Sequence, residues 1–332
     1  MKLKRHYKYI VVGNGLISNF SIYWLNKFGI KDILNISDNN LYPPCTLNST
    51  AIVSHFGTNT GHSIYGDLIR KSYNESKEFY SSLIEKKICE FATHKVFSKN
   101  ENTYRRYNSF EGENIEFNKE TNLFTFKSIL VNPPRLLDFF SQRLSCVSLK
   151  GRLNKFDSKL KTINIENEDI SFDFLILGTG IYQFSDIAQN FGKCAPGFYL
   201  EKKINFGNNS FIFSNENRNL VYRASNKIAQ LNLYTGEDIT FMSDFAKAKE
   251  EFLEIKKILK EYELGDINHW QLRVGQRHKG QKRLPIYKII DETTVYISGL
   301  YKNGFTLGYY LTKDLIEKMV SESGIEPPTW RI

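Results

Sequence analysis

Tyr7-Lys8-Tyr9-Ile10-Val11-Val12-Gly13-Asn14-Gly15-Leu16-Ile17-Ser18 decides how this chain folds. Its first six residues end on a β-branched apolar run and read as a buried parallel strand. Gly13 permits a tight turn out of that strand, and Gly15 lets the backbone approach a phosphate with no Cβ in the way. Leu16, Ile17, Phe20, Tyr23, Trp24 and Leu25 then recur at helical spacing. A helix starting there aims its N-terminal N–H groups and the positive end of its dipole at a pyrophosphate. Ile33-Leu34-Asn35-Ile36 predicts a second strand that delivers Ser37 and Asp38. Asp38 lies about where a dinucleotide fingerprint places the acid that binds ribose hydroxyls, while direct alignment puts Ser37 at the strand end. Ser18 stands where the fingerprint has its third glycine, so it must still let helix and strand pack closely.

Outward from this unit, Leu41 to Val53 reads as a loop and Asp67 to Lys86 as a helix. Short alternating runs from Ile88 to Phe126 predict antiparallel strands. Val131-Asn132-Pro133 introduces a helix through Leu136, Phe139, Phe140 and Leu144. A second strand–glycine unit follows at Phe172-Asp173-Phe174-Leu175-Ile176-Leu177-Gly178-Thr179-Gly180. Phe211 to Leu233 reads as strands and Phe241 to Tyr262 as helix. Finally, Gly299-Leu300-Tyr301-Lys302-Asn303-Gly304-Phe305-Thr306-Leu307-Gly308 leads into a closing helix.

A chain of 332 residues is long enough for one large domain or two intertwined ones. Its 41% apolar content, with 25 Phe and 19 Tyr, supports a substantial core. Lys and Arg total 45 against 36 acidic residues, and the net charge of +9 favours an anionic partner. That partner is a carboxylate, a phosphorylated metabolite or nucleic acid; a merely solvated basic surface is the plainer alternative. Cys45, Cys89, Cys146 and Cys194 are far apart and form no CxxC pair, so a reducing cytoplasm is expected. His55, His62 and His269 lack metal-ligand spacing, and no metal site is expected. Lys2, Lys4 and Arg5 precede apolar residues as in a signal peptide, but the glycine turn interrupts that stretch, which reads as the first strand. No apolar run is long enough for a transmembrane helix. Neither a Gly-x-Ser-x-Gly elbow nor a Walker A loop occurs, which argues against those hydrolase and NTPase classes.

The chain resembles the FAD-dependent D-amino-acid oxidase superfamily, which includes glycine and sarcosine oxidases. The likeness runs through the N-terminal turn, Ser49-Thr50-Ala51, Val131-Asn132-Pro133, Gly178-Thr179-Gly180, Pro196-Gly197 and the block from Trp270 to Met319. The resemblance implies an α/β fold: a Rossmann-like FAD-binding domain with a discontinuous α+β substrate domain built on an antiparallel sheet. The expected FAD-binding domain comprises residues 1–86, 127–205 and 268–332; the substrate domain comprises 87–126 and 206–267. FAD is expected at Gly13, Gly15, Ser18, Ser37 or Asp38, Ser49, Thr50, Gly178, Thr179, Gly180, Gly299, Asn303, Gly304, Phe305 and Thr306. The helix beginning near Phe305 would direct its positive end at the flavin N1–C2=O edge and stabilise anionic reduced flavin. Cys45 falls in the loop near the expected cofactor, with nothing to establish covalent attachment.

Gly275-Gln276-Arg277 followed by Leu284-Pro285 keeps the family's spacing. The implied role of Arg277, the catalytic candidate, is to hold a substrate carboxylate and orient its Cα–H over flavin N5. Hydride transfer then gives an imine that water hydrolyses, with oxygen typically reoxidising the flavin. No protein acid or base is required if the substrate arrives as the free amine. Two departures make the neighbourhood more cationic: His278 replaces a common proline, and Lys282-Arg283 stand where the family often has Asp-Gly. They imply a substrate with more negative charge than glycine.

The expected function is FAD-dependent oxidation of the C–N bond of an amino acid or secondary amine. The alternatives are an FAD-dependent 2-hydroxy-acid dehydrogenase, a tRNA side-chain-modifying flavoenzyme and a nonenzymatic member of the fold. A small anionic amine is favoured over nucleic acid as partner, no membrane is expected, and oligomeric state is open. Tyr222, Trp270 and Tyr301 are candidates to wall the substrate cavity, although ordinary packing explains aromatics at least as well.

Overall fold

A computed structural model describes residues 3–38, 45–58, 61–98, 100–108, 110, 114–165, 168–181, 192–215, 218–232, 245–260 and 262–322. Along the chain come β1 (His6–Val12), α1 (Leu16–Lys27), β2 (Ile33–Ser37), β3 (Ile52–Val53) and α2 (Ile64–Ser81). They are followed by β4 (Cys89–Phe97), α3 (Glu101–Asn108), β5 (Glu116–Asn118), β6 (Leu123–Val131) and α4 (Pro133–Arg143). Strands β7 (Val147–Lys150), β8 (Leu153–Asp157), β9 (Thr162–Ile165), β10 (Glu168–Leu177) and β11 (Gly192–Lys203) come next. After these are β12 (Phe211–Asn215), β13 (Arg218–Arg223), β14 (Ile228–Asn232) and α5 (Phe245–Ile258). The chain closes with β15 (Gln271–Gly280), β16 (Ile286–Ile289), β17 (Thr294–Ser298) and α6 (Gly304–Glu322).

Two compact units result. The first comprises Met1–Leu47, Pro134–Cys194 and Arg277–Ile332; the second comprises Asn48–Pro133 and Ala195–Gln276. Residues 48–86, 127–133, 195–205 and 268–276 thus fall with the second unit, so its boundaries are wider than those expected for the substrate domain.

The first unit is built on a sheet ordered β16-β17-β10-β1-β2-β7, extended by β9 and β8. Strands β17, β10, β1, β2 and β7 pair in parallel. Tyr9, Ile10, Val11, Leu175, Ile176 and Leu177 are all below 2% exposed, as required of strands covered on both faces. Leu34, Ile36, Ile163, Phe172 and Tyr296 extend this core along one face.

The second unit carries a sheet ordered β15-β11-β14-β13-β12-β4-β6-β3, with β5 beside β6. Its hairpins are antiparallel at β4–β6, β12–β13 and β13–β14, whereas β4 and β12 run parallel. Phe252, Ile255 and Leu259 pack against Leu200, Leu220, Tyr222, Leu231 and Trp270. Tyr222 and Trp270 are therefore core residues, and their polar tips donate to the carbonyls of Gly207 (2.8 Å) and Leu264 (3.1 Å).

Helix boundaries follow their caps. The helix expected from Asp67 starts earlier, at Ile64, because Ser63 accepts a hydrogen bond from the Gly66 N–H at 3.0 Å. Between the strands expected over 88–126 lies a helix, α3, whose first turn is tied by Asn100 Oδ1 to the Thr103 N–H. The helix expected over 241–262 is described from Phe245; residues 241–244 and 261 lie outside the described residues.

Candidate functional site

The parallel sheet of the first unit brings separate segments of sequence to one carboxyl edge. Val12 is in register with Leu177 and Ile36, and Leu177 with Tyr296. Hence Gly13, Gly178–Gly180, Ser37–Asp38 and Gly299 all follow the ends of neighbouring strands, where open α/β sheets bind their ligands. Ser37 ends β2 and Asp38 follows it; both are half-buried.

Ser18 is fully buried between strands and helix. Its hydroxyl donates to Val12 O at 3.2 Å and Gly178 O at 3.4 Å. A Cβ built on either Gly13 or Gly178 would meet Ser18 Oγ at 2.5 Å. The two glycines thus make room for the serine, and close packing survives without a third glycine. Gly13 is also held at φ +122°, a conformation that side chains disfavour.

Gly15 differs from those two. Its added Cβ would meet only Thr46 Oγ1, at an ordinary 3.4 Å, so packing among the described residues does not require glycine there. Gly304, the first residue of α6, is similarly open, with Leu300 Cβ at 4.0 Å. Both glycines sit at helix N-termini whose first turns carry no acidic residue, and Gly15 offers no side-chain cap.

The two helices run side by side in the same direction. A Cβ built on Gly308 would meet Leu16, Ile17 and Phe20 at 3.4–3.5 Å; further along α1, the Trp24 indole donates to Tyr309 O at 3.1 Å, and Lys313 lies over the Trp24 ring. Their positive ends therefore converge on one edge of the unit. Phe305 and Thr306 are buried within the first turn of α6.

Several supporting residues escaped the motif reading. Asn35 Nδ2 donates to Val11 O at 3.1 Å and to Gly13 O at 2.9 Å, fixing the turn. Thr46 Oγ1 accepts from the Leu16 N–H at 2.9 Å. The Tyr296 hydroxyl donates to Gly180 O at 2.6 Å, and burial pushes its pKa up to about 12, keeping it a donor. Only the polarity of Asn35 inside an apolar strand was a visible signal.

Arg277 and Lys279 project from one side of β15 by strand alternation, while His278 turns inward to Ser298 Oγ (2.8 Å). An isolated bridge joins Lys279 to Leu300, and the Tyr301 N–H donates to His278 O at 3.1 Å. This pairing puts the Arg277 guanidinium 5.1 Å from the Tyr301 ring centroid. Burial lowers the Arg277 pKa, but a guanidinium stays charged. Cys45 and Cys194 lie within its field; burial nonetheless pushes Cys45 up to about 11, so it remains a thiol. Among the described residues, no three His, Cys, Asp or Glu side chains gather as a metal site.

Ser49 and Thr50 belong to the second unit. Ser49 Oγ accepts from the Ala51 N–H at 3.0 Å. Thr50 O accepts from Arg223, a cation only 2% exposed that also binds Gln230 Oε1 and Val131 O.

No protein-family model matches the sequence, and no curated protein matches it. Solved structures do match in three dimensions. Glycine oxidase from Geobacillus kaustophilus superposes with a TM-score of 0.78 at 12% identity, over 99% of this chain and 100% of that one. Iminodiacetate oxidase from Chelativorans sp. BNC1 gives 0.75 at 14% identity, over 98% and 97%. L-α-Glycerophosphate oxidase from Mycoplasma pneumoniae, whose structure has FAD bound, gives 0.74 at 12% identity, over 95% of each chain. No helix of the described residues is long and apolar enough to cross a membrane. Over nearly its whole length, this chain has the fold of these oxidases.

Proposed function

We propose that this protein is an FAD-dependent oxidoreductase that oxidises the C–N bond of an amino acid or secondary amine. The observation that carries this reading is the convergence of α1 and α6, each beginning at an open glycine, on one edge of the parallel sheet. Two helix N-termini suit a group with one anion to seat and a second charge to receive. Gly13, Gly15 and Ser18 hold the pyrophosphate turn, the Ser37–Asp38 end of β2 serves the ribose, and Gly178-Thr179-Gly180 lines the adjoining strand end. Gly299, Asn303, Gly304, Phe305 and Thr306 form the ring-side wall. FAD, when bound, supplies the hydride acceptor at its N5.

Arg277 binds the substrate carboxylate and sets its orientation, so the protein's task is positioning and electrostatics. The neighbouring folds named glycine oxidase and iminodiacetate oxidase support an amine substrate. A fold named L-α-glycerophosphate oxidase keeps C–OH oxidation as the competing reading. Four free cysteines support a reducing, cytoplasmic setting.

The test is anaerobic bleaching of the protein-bound flavin band by amino acids, N-methyl amines and 2-hydroxy acids. Bleaching by an amine with release of ammonia or a smaller amine is the expected result. Bleaching only by hydroxy acids would replace this reading with its competitor, and a protein that neither holds nor takes up FAD would end both. Arg277→Met should weaken substrate affinity about 30-fold or more, the worth of a charge-assisted bidentate contact.

A further inference from the structure

His278, next to Arg277 in β15, is a buried titratable residue that the proposed chemistry does not use. Its ring lies against Gly192, where an added Cβ would meet His278 Nε2 at 2.6 Å and Lys279 O at 2.5 Å. The imidazole and its own strand therefore take up the space that a side chain at 192 would need. On the other edge of the ring, Nδ1 faces two hydroxyls, Ser298 Oγ at 2.8 Å and Tyr296 OH at 3.2 Å. Tyr296 and Ser298 share one face of β17 by strand alternation, and both are buried.

This bonding has a direction. A phenol carries one hydrogen, and Tyr296 gives its own to Gly180 O, which can only accept, at 2.6 Å. Toward the imidazole the Tyr296 oxygen is therefore an acceptor, so Nδ1 bears the hydrogen, shared with Ser298 Oγ. The main chain of the same residue is engaged as well. His278 O accepts from the Tyr301 N–H at 3.1 Å, and Lys279 bridges to Leu300. The loop held in this way carries the Tyr301 ring, 5.1 Å from the Arg277 guanidinium.

We propose that His278 is a positioning residue: its Nδ1–H, through the Tyr296 hydroxyl, fixes the Gly180 carbonyl on the cofactor side, while its main chain fixes the Arg277–Tyr301 pair on the substrate side. One buried hydrogen-bonded unit then sets both, which is the preorganisation that a reaction run by positioning requires. What is positioned rests on the flavin-oxidase reading, which this deepens; the place of the hydrogen does not rest on it.

The test begins with nitrogen NMR of the FAD-loaded protein labelled in its histidine rings, the His278 signals being identified by their loss in His278→Asn. Hydrogen on Nδ1 is expected, and an Nδ1 without hydrogen would overturn the proposal whether or not other variants fold. Flavin-fluorescence titration for FAD and calorimetry with propionate, an unreactive carboxylate, then test positioning. His278→Leu should weaken both about tenfold, the scale of one buried hydrogen bond. His278→Asn, whose amide N–H stands in for Nδ1–H, should recover most of each loss. Tyr296→Phe should weaken FAD to a similar extent, and adding it to His278→Leu should cost FAD little more, because the two act in one chain. A lowered urea midpoint with both affinities unchanged, equal losses in the Leu and Asn variants, or additive losses in the double variant would overturn the proposal. Flavin bleached by amines in a protein whose Nδ1 lacks hydrogen would keep the oxidase and remove this role of His278. Nδ1–H with the linked losses, in a protein whose flavin no amine bleaches, would keep the role and remove the oxidase.

Discussion

Replacing Gly178 with alanine tests the seam that joins β1, β10 and α1. The new Cβ would lie 2.5 Å from Ser18 Oγ and 3.3 Å from both Ile17 Cγ2 and Ser18 N. Ser18 is 0% exposed and its hydroxyl already bonds Val12 O and Gly178 O, so it has nowhere to swing. Overpacking of this kind costs about 1–3 kcal/mol, a sizeable part of the roughly 5–15 kcal/mol that holds a protein folded. Ser18→Ala by itself should cost about 1 kcal/mol, the net worth of its hydrogen bonding. In the double variant the Oγ is gone and the nearest remaining atoms are at 3.3 Å, so the two losses should not add. The expected coupling is about 1–2 kcal/mol in favour of the pair, within the range for residues in contact.

Gly13→Ala supplies the contrast. It meets Ser18 Oγ at the same 2.5 Å but also the Gly178 carbonyl oxygen at 2.7 Å, and its φ is +122°. The clash with the Gly178 carbonyl and the left-handed φ remain when the hydroxyl is removed, so the loss should reach about 3–5 kcal/mol and Ser18→Ala should recover only part. Urea unfolding of the wild type, the three single variants and the two doubles measures all of this. The reasoning is refuted if Gly178→Ala loses less than about 0.5 kcal/mol, the scale of an ordinary surface change, or if Ser18→Ala rescues both glycine variants equally.

Asn35→Ala removes two bonds to the turn carbonyls and should weaken FAD binding about tenfold; an unchanged dissociation constant by flavin-fluorescence titration would contradict it. Arg223→Met leaves three buried acceptors without their cation and should cost about 3–5 kcal/mol. Arg223→Lys should not restore it, because an ammonium cannot replace the planar fork; full rescue in urea unfolding would count against this. Burial lowers the His94 pKa from 6.5 to about 3, with its nitrogens facing Ser128 Oγ and Ser214 Oγ. The unfolded chain takes up the proton first, so the stability present above pH 6.5 falls on acidification, by about 2 kcal/mol at about pH 5. His94→Gln should remove that slope, and parallel pH curves would exclude His94 as its source.

Local chemistry determined much of this protein. The apolar run ending at Val12, the glycines at 13 and 15 and the helical spacing from Leu16 to Leu25 act within a few turns of chain, and each element forms where they place it. Gly299–Gly308 likewise reads directly as a turn into a helix. The short helix α3, lying among alternating strands, had no such advance signal beyond its Asn100 cap. Only the tertiary structure decided which distant groups meet. Ser18 replaces a glycine because Gly178, 160 residues away, makes room for its hydroxyl. Arg223 becomes a buried tie to Thr50 and Val131 because three segments distant in sequence close around it. Lys279 and Lys302 join Arg277 because β15 bridges to Leu300 and fixes Tyr301 beneath them. Propensity and periodicity act over neighbouring residues, whereas sheet register, burial and hydrogen-bond satisfaction are settled by the whole chain at once.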